Sequence, residues 1–273
     1  MSFIQSIIYG FVSGLTEFLP VSSGGHQTLL RELFGISQGA PVLDVLIHIA
    51  IILAIIYNCR AYLRRLLLAS RSTAKTRALR NDRSNIYDYR LIVSSALSML
   101  FVMLILFFVG HFGDELVYVA LFALINGVIL YVSAHMPQGN KESRHMSMFD
   151  SAFIGLFGAF SVLPGISRVG ASLSGAVWRG ADKQKAINWV LVLSIPAMLM
   201  LLLFDFIAII TGGIGALSFL ILFGYLFAFA FAFAGASLGI YILRYFVMHA
   251  TLSSFAYYSW GVALLSFILY LSA

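Results

Sequence analysis

A carboxylate, two hydroxyls, two glycines and an imidazole lie close together in Glu17-Phe18-Leu19-Pro20-Val21-Ser22-Ser23-Gly24-Gly25-His26. A second polar break, Leu163-Pro164-Gly165-Ile166-Ser167-Arg168, adds a guanidinium, with Ser172 about one helical turn further on. Each follows an apolar run and passes through a proline, which ends a helix because it has no N–H and clashes with the preceding turn. Ser22 or Ser23 can cap a new helix after the first break, and a Ser- and Gly-rich helix start follows the second. The first turn of such a helix presents free N–H groups and the positive end of its dipole, which together bind phosphate. Gly24 and Gly25 let an anion approach that backbone, and His26, three residues after Ser23, shares its face. Arg168 supplies a planar, permanently charged fork matched to phosphate oxygens.

A plainer arrangement of the same residues pairs Glu17 with Arg168, spends the serines on capping and buries His26 as a satisfied imidazole. An ionised side chain at membrane depth costs about 2.5–3.5 kcal/mol on insertion scales, so both charges need a partner or a wet cavity. Carboxylate, hydroxyls, imidazole and guanidinium occurring jointly at two backbone breaks point beyond packing to a site for an anionic substrate.

The elements that must hold these groups are apolar helices. Of 273 residues, 61% are hydrophobic and only 10% charged, against about 25% charged in soluble domains. The mean hydropathy is +0.96, which excludes a water-soluble globule. Apolar stretches near 42–60, 90–111, 116–134, 187–211, 216–243 and 252–271 are long enough to cross a bilayer. Two shorter ones, 3–19 and 149–163, run into the polar breaks and read as re-entrant hairpins, the rival being 3–19 as a full span with the chain starting inside, which charge counting does not separate because residues 1–12 carry no charged side chain. Residues 1–19 lack a basic start and a small-residue cleavage site, so no cleaved signal is expected. The fold class is therefore an all-α polytopic membrane protein: six transmembrane helices plus two re-entrant helical hairpins in one domain, 1–273.

The breaks also suggest an internal repeat. Pro20 and Pro164 each follow a leucine and precede a serine-containing helix start, with a long span some way beyond. Opposite orientation of the halves, 1–134 and 149–273, makes this an inverted repeat, whose interrupted segments mark a midplane site. Nine basic residues and two acids fall between Arg60 and Arg90. This local excess identifies 61–89 as a cytoplasmic, membrane-surface loop rather than a nucleic-acid patch. With that loop inside, fifteen of the seventeen basic residues lie on the cytoplasmic side, Arg31 lies outside and Arg168 falls within the membrane.

Other polar residues carry less. Asp44 and His48 share a face early in the first span and read as support or packing, while Asp205 and Asn188 read as interfacial or interhelical hydrogen-bonding groups. Gly224, Ala228, Ala232 and Ala236 form a small-residue stripe suited to close helix packing; such stripes also permit a homodimer. Cys59 is the lone cysteine, which excludes an intrachain disulfide and a cysteine-based metal cluster.

Gly14-Leu15-Thr16-Glu17-Phe18-Leu19-Pro20-Val21-Ser22-Ser23-Gly24-Gly25-His26 and Leu163-Pro164-Gly165-Ile166-Ser167-Arg168 closely resemble the two signature motifs of the bacterial undecaprenyl-pyrophosphate phosphatases, the BacA family. Leu43-Asp44-Val45-Leu46-Ile47-His48 and Leu193-Ser194-Ile195-Pro196-Ala197-Met198 resemble its intervening segments, so the likeness runs along the whole chain. The resemblance implies an enzyme of the bacterial inner membrane that hydrolyses undecaprenyl diphosphate to the monophosphate at the outer face, recycling the lipid carrier for cell-wall precursors. It implies catalytic roles for Glu17, Ser23, His26 and Arg168. Phosphate contacts are implied for Ser22, Ser23, Gly24, Gly25, Ser167, Arg168 and Ser172. Ser23, His26 and water remain alternative nucleophiles. It further implies a divalent cation, Mg²⁺ or Ca²⁺, at Glu17. The family usually has a second acid four positions before Glu17, where this chain has Ser13, and a serine after the arginine, where it has Val169; Ser172 replaces a threonine. Loss of one carboxylate removes negative charge on which a hard cation relies. The same scaffold without hydrolysis would serve as a carrier or flippase for phosphorylated polyprenol, or more remotely as an ion or solute transporter.

Overall fold

A computed structural model of the chain describes residues 1–36, 40–71, 83–109, 115–212, 219–249 and 251–272. Among these, the secondary structure is helical apart from an isolated bridge between Lys141 and Ala181. The helices, in chain order, begin with α1 (Phe3–Phe18), α2 (Ser23–Leu33), α3 (Pro41–Arg71), α4 (Arg83–Val109) and α5 (Leu116–His135). After a 3₁₀ turn come α6 (Met148–Ala159), α7 (Arg168–Trp178), α8 (Lys183–Gly212), α9 (Phe219–His249) and α10 (Ser253–Ser272).

Six of these helices, α3, α4, α5, α8, α9 and α10, are long and apolar enough to cross a membrane. The chain is a multi-pass membrane protein. Its outer surface carries large apolar side chains, among them Phe101, Phe108 and Ile210, as lipid contact demands. In the basic loop expected over 61–89, the structure makes a correction: α3 continues to Arg71 and α4 begins at Arg83. Tyr62, Leu66 and Ala69 lie buried along one face of this extension while Arg64 and Arg65 point outward, so a helix serves both surfaces. Lys75, Arg77 and Arg80 lie outside the described residues.

The chemistry-bearing pieces are the short helices, which long ones clamp. α1 runs beside α9 so closely that a Cβ at Gly10 would overlap the Ala228 carbonyl, and one at Gly14 the Ala232 carbonyl. Gly239 sits in the same way against the backbone of Leu15. The small-residue stripe of α9 is thus filled by α1 of the same chain, with Ala228, Ala232 and Ala236 fully buried. α6 lies equally tightly along α4, Gly155 meeting Ser95 and Ser98, and Gly158 meeting Met99. α1 and α6 therefore each lean on a long helix from the other half of the sequence.

α3 and α8 pass antiparallel at the centre. At one end His48 Nδ1 and Asp205 Oδ2 are 2.5 Å apart. At the other, Asp88 on α4 accepts from the Tyr62 hydroxyl at 2.9 Å and from the Trp189 indole at 3.1 Å. Asp44 joins the first cluster, accepting from the Tyr9 hydroxyl at 3.3 Å and lying 3.8 Å from Arg31. These charged and polar groups tie helices together, in line with the supporting roles expected of Asp44, His48 and Asp205. Asn188 borders a polar cavity at the opposite end, beside Asp88, Glu142 and Lys185. Glu142 lies outside the spans, and its hydrogen bond to the Lys185 ammonium at the start of α8 holds its carboxyl below the usual carboxylate range.

Candidate active site

The site forms where the two broken helix pairs meet. α1 ends at Phe18 and α2 starts at Ser23, so Pro20 lies in the break. Ser22 caps α2, its Oγ accepting the Gly25 N–H at 3.3 Å. The second break has the same plan: Ser167 caps α7 by accepting the Gly170 N–H at 3.1 Å. The caps also reach across. Ser22 Oγ accepts the Gly165 N–H at 3.0 Å, and Ser167 Oγ donates to the Leu19 carbonyl at 3.0 Å. Ser22 has φ 59° and ψ 105°, an unusual conformation for a residue with a side chain, which costs about 1–3 kcal/mol and persists only where surroundings enforce it. The reciprocal hydrogen bonds are that enforcement.

This lock brings residues of three helix ends together. Glu17, in the last turn of α1, receives Arg168 Nη2 on Oε1 and the Ser23 hydroxyl on Oε2, the latter at 2.5 Å. The Glu17 and Arg168 side chains are only 4% and 5% exposed. A buried ion pair left with one partner is strongly unfavourable, so the pair is a fixture of the folded state. Arg168 Nε and Nη1 are nevertheless buried without a hydrogen-bond partner. A guanidinium has five N–H donors, and a carboxylate that takes one of them leaves the fork open to another anion.

Access lies on the α2 side. Ser23 is half-buried and Gly24 exposed, and a Cβ at Gly24 would meet open space. At Gly25 a Cβ would come within 3.4 Å of Gly165 backbone atoms, so that glycine serves the packing of one break on the other.

The remaining expected site residues divide. His26 is buried in the first turn of α2, its Nδ1–H donating to the Ser22 carbonyl at 2.7 Å. Ser167 has its hydroxyl and its N–H occupied by the fold. Ser172 is buried against Gly158 of α6, with its hydroxyl unpartnered, and makes no bond to Glu17, Ser23 or Arg168. Ser13, one turn before Glu17, is 0% exposed and its hydroxyl also has no partner. Val169 packs in the main apolar core.

Two residues at the site escaped the sequence reading. Asn126, in the middle of α5, accepts the Ser167 N–H at 3.0 Å and donates to the Pro20 carbonyl at 3.1 Å and to Ser259 at 3.0 Å. It bridges both breaks; the available signal was an amide amid an otherwise apolar span, since such a group seeks a partner in hydrocarbon. Tyr258 of α10 lies 2.8 Å from His26 Nε2. In sequence it is one of two adjacent tyrosines near a span end, a pattern that interfacial aromatics also produce.

Residues 6–265 match the family profile described as the bacitracin resistance protein BacA. The chain belongs to this family. A protein of Methanobrevibacter smithii named undecaprenyl-diphosphatase is 32% identical, the alignment covering 98% of each chain. One of Bacillus cereus named undecaprenyl-diphosphatase 3 is 29% identical, again over 98% of each. A third so named, from Alkaliphilus metalliredigens, is 25% identical over 96% of each. Glu17, Ser23 and Arg168, three of the expected catalytic residues, are joined through a single carboxylate.

Whether these residues suit a divalent cation is a matter of donors. Among the described residues, no group of three His, Cys, Asp or Glu side chains is placed to hold a metal ion. Glu17 is the carboxylate at the site, and both its oxygens are engaged. The protein groups alone do not fit a resident Mg²⁺ or Ca²⁺, which take about six or more oxygen ligands.

Proposed function

We propose that this protein hydrolyses undecaprenyl diphosphate to undecaprenyl phosphate and inorganic phosphate. The observation that carries the reading is the Glu17 carboxylate held between the Ser23 hydroxyl and the Arg168 guanidinium. Membership of BacA and three relatives named for this hydrolysis support it.

The diphosphate enters past Gly24, its oxygens taking the free Nε–H and Nη1–H of Arg168 and the first-turn N–H groups of α2 and α7. Glu17 Oε2 accepts the Ser23 proton as Oγ attacks the terminal phosphorus. The bond from that phosphorus to the bridging oxygen breaks, and undecaprenyl phosphate leaves as the anion. Arg168 and the helix ends stabilise the charge spread over the transferred phosphoryl group. In the second step His26 takes a proton from water as the water oxygen attacks the phosphoserine. Glu17 returns its proton to Ser23 Oγ, inorganic phosphate departs, and the imidazolium releases its proton to solvent. A divalent cation carried by the diphosphate would supply counter-charge to its oxygens without a protein site of its own. A carrier without hydrolysis is less well supported, because a bare anion site has no use for a serine aligned on a carboxylate.

The broken pairs α1–α2 and α6–α7 are proposed to be re-entrant halves of an inverted repeat, placing the site at mid-membrane depth. The basic ends of α3 and α4 face the cytoplasm under the positive-inside rule, and the site opens to the outside of the inner membrane. There it would return the lipid carrier to cell-wall synthesis. Purified protein should release inorganic phosphate from undecaprenyl diphosphate and Arg168→Ala should abolish it; wild-type turnover by that variant would overturn the reading.

A further inference from the structure

His26 is engaged at both ring nitrogens. Nδ1 lies 2.7 Å from the Ser22 carbonyl, which can only accept, so Nδ1 carries the proton. In the neutral ring Nε2 is then an acceptor, and the group opposite it is the Tyr258 hydroxyl at 2.8 Å. The two ring planes are nearly parallel, at 7°. Ser22 belongs to the first break and Tyr258 to α10, 232 residues from His26, and together they hold the imidazole from opposite sides.

We infer that Tyr258 is a positioning residue for the hydrolysis: the Ser22 carbonyl sets the Nδ1–H tautomer of His26, and the Tyr258 hydroxyl fixes the ring's orientation and keeps Nε2 an unprotonated acceptor. A tyrosine suits the task because its hydroxyl both donates and accepts. It donates to Nε2 in the resting enzyme, turns aside when the attacking water takes its place at Nε2, and accepts from Nε2–H once that nitrogen has gained the water's proton, while the Ser22 carbonyl holds Nδ1–H throughout. Second-site hydrogen bonds of this kind set which nitrogen of a histidine does the chemistry. Tyr258 is half-exposed, which leaves it room to reorient when water and phosphate enter.

The inference rests on the reading of His26 as the base that resolves phosphoserine, and the test separates the two. Tyr258→Phe keeps the ring and removes only the hydroxyl. In the purified full-length protein, with undecaprenyl diphosphate as substrate, it should lower kcat about tenfold while KM stays within about twofold, the pattern of a lost transition-state interaction. Phosphorylated enzyme should build up during turnover, and the ¹⁵N resonance of His26 Nε2, found by difference from His26→Ala, should shift. The thermal midpoint should match wild type. Wild-type kcat and phosphoenzyme level in Tyr258→Phe, with His26→Ala inactive, would overturn the role of Tyr258 and leave that of His26 standing. Wild-type turnover by His26→Ala would overturn the underlying reading and the inference with it.

Discussion

Glu17 and Arg168, 151 residues apart in sequence, meet as a buried ion pair at the tips of two broken helix pairs. The carboxylate also holds the Ser23 hydroxyl, so in the proposed mechanism the pair would couple anion binding to nucleophile alignment. Removing either charge should therefore do two kinds of damage. Arg168→Ala leaves an uncompensated buried carboxylate, a loss of about 3–5 kcal/mol, and should lower the thermal midpoint while abolishing phosphate release. Arg168→Lys retains the charge without the fork and should fold, with activity reduced about 10- to 100-fold, the value of one or two charged hydrogen bonds. Melting and phosphate-release curves on both variants check this.

Asn126 is expected to behave as a joint. In Asn126→Ala the Ser167 N–H and the Pro20 carbonyl lose their shared partner, and each buried unpaired group costs about 1–3 kcal/mol. Thermal stability and phosphate release should fall together. Normal stability with lost activity would contradict a bridging role.

Gly14 and Gly24 should respond oppositely to one added methyl group. At Gly14 the Cβ overlaps the Ala232 carbonyl, so α1 must move off α9 and carry Glu17 with it. Overpacking of this sort costs about 1–3 kcal/mol. At Gly24 the Cβ meets open space, so Gly24→Ala should melt like wild type and alter KM alone. Differential melting in detergent distinguishes the two.

Ser13 places an unpartnered hydroxyl one turn before Glu17. Ser13→Glu would add a second carboxylate on that face and thereby two oxygen ligands for a hard cation. Phosphate release by the variant should reach half-maximal stimulation at a lower Mg²⁺ concentration than that of the native protein. An unchanged Mg²⁺ titration would refute this account of the position.

Much of this architecture is legible in the residues themselves. The six spans follow from hydropathy, and the two breaks from proline beside serine and glycine, because those features act locally. The pairing of Glu17 with Arg168 is readable as the plainer of the two arrangements, since two charges in apolar surroundings need one another, and the structure has that pair, the serine caps and a doubly bonded His26. What escapes is long-range and made by single residues. Nothing local at Asn126 says that its amide bridges Pro20 and Ser167, and nothing at Tyr258 says that α10 delivers it to His26. The helical continuation of α3 to Arg71 escapes for a different reason: hydropathy marks where a helix leaves the lipid, while its apolar stripe of Tyr62, Leu66 and Ala69 decides where it ends.

The most direct test of Ser23 as nucleophile is a rapid-quench reaction of His26→Ala with undecaprenyl diphosphate labelled in its terminal phosphate, followed by peptide mapping. The account predicts label on Ser23, absent from Glu17→Gln and from Ser23→Ala. Wild-type turnover by Ser23→Ala, or label found on another residue, would contradict it.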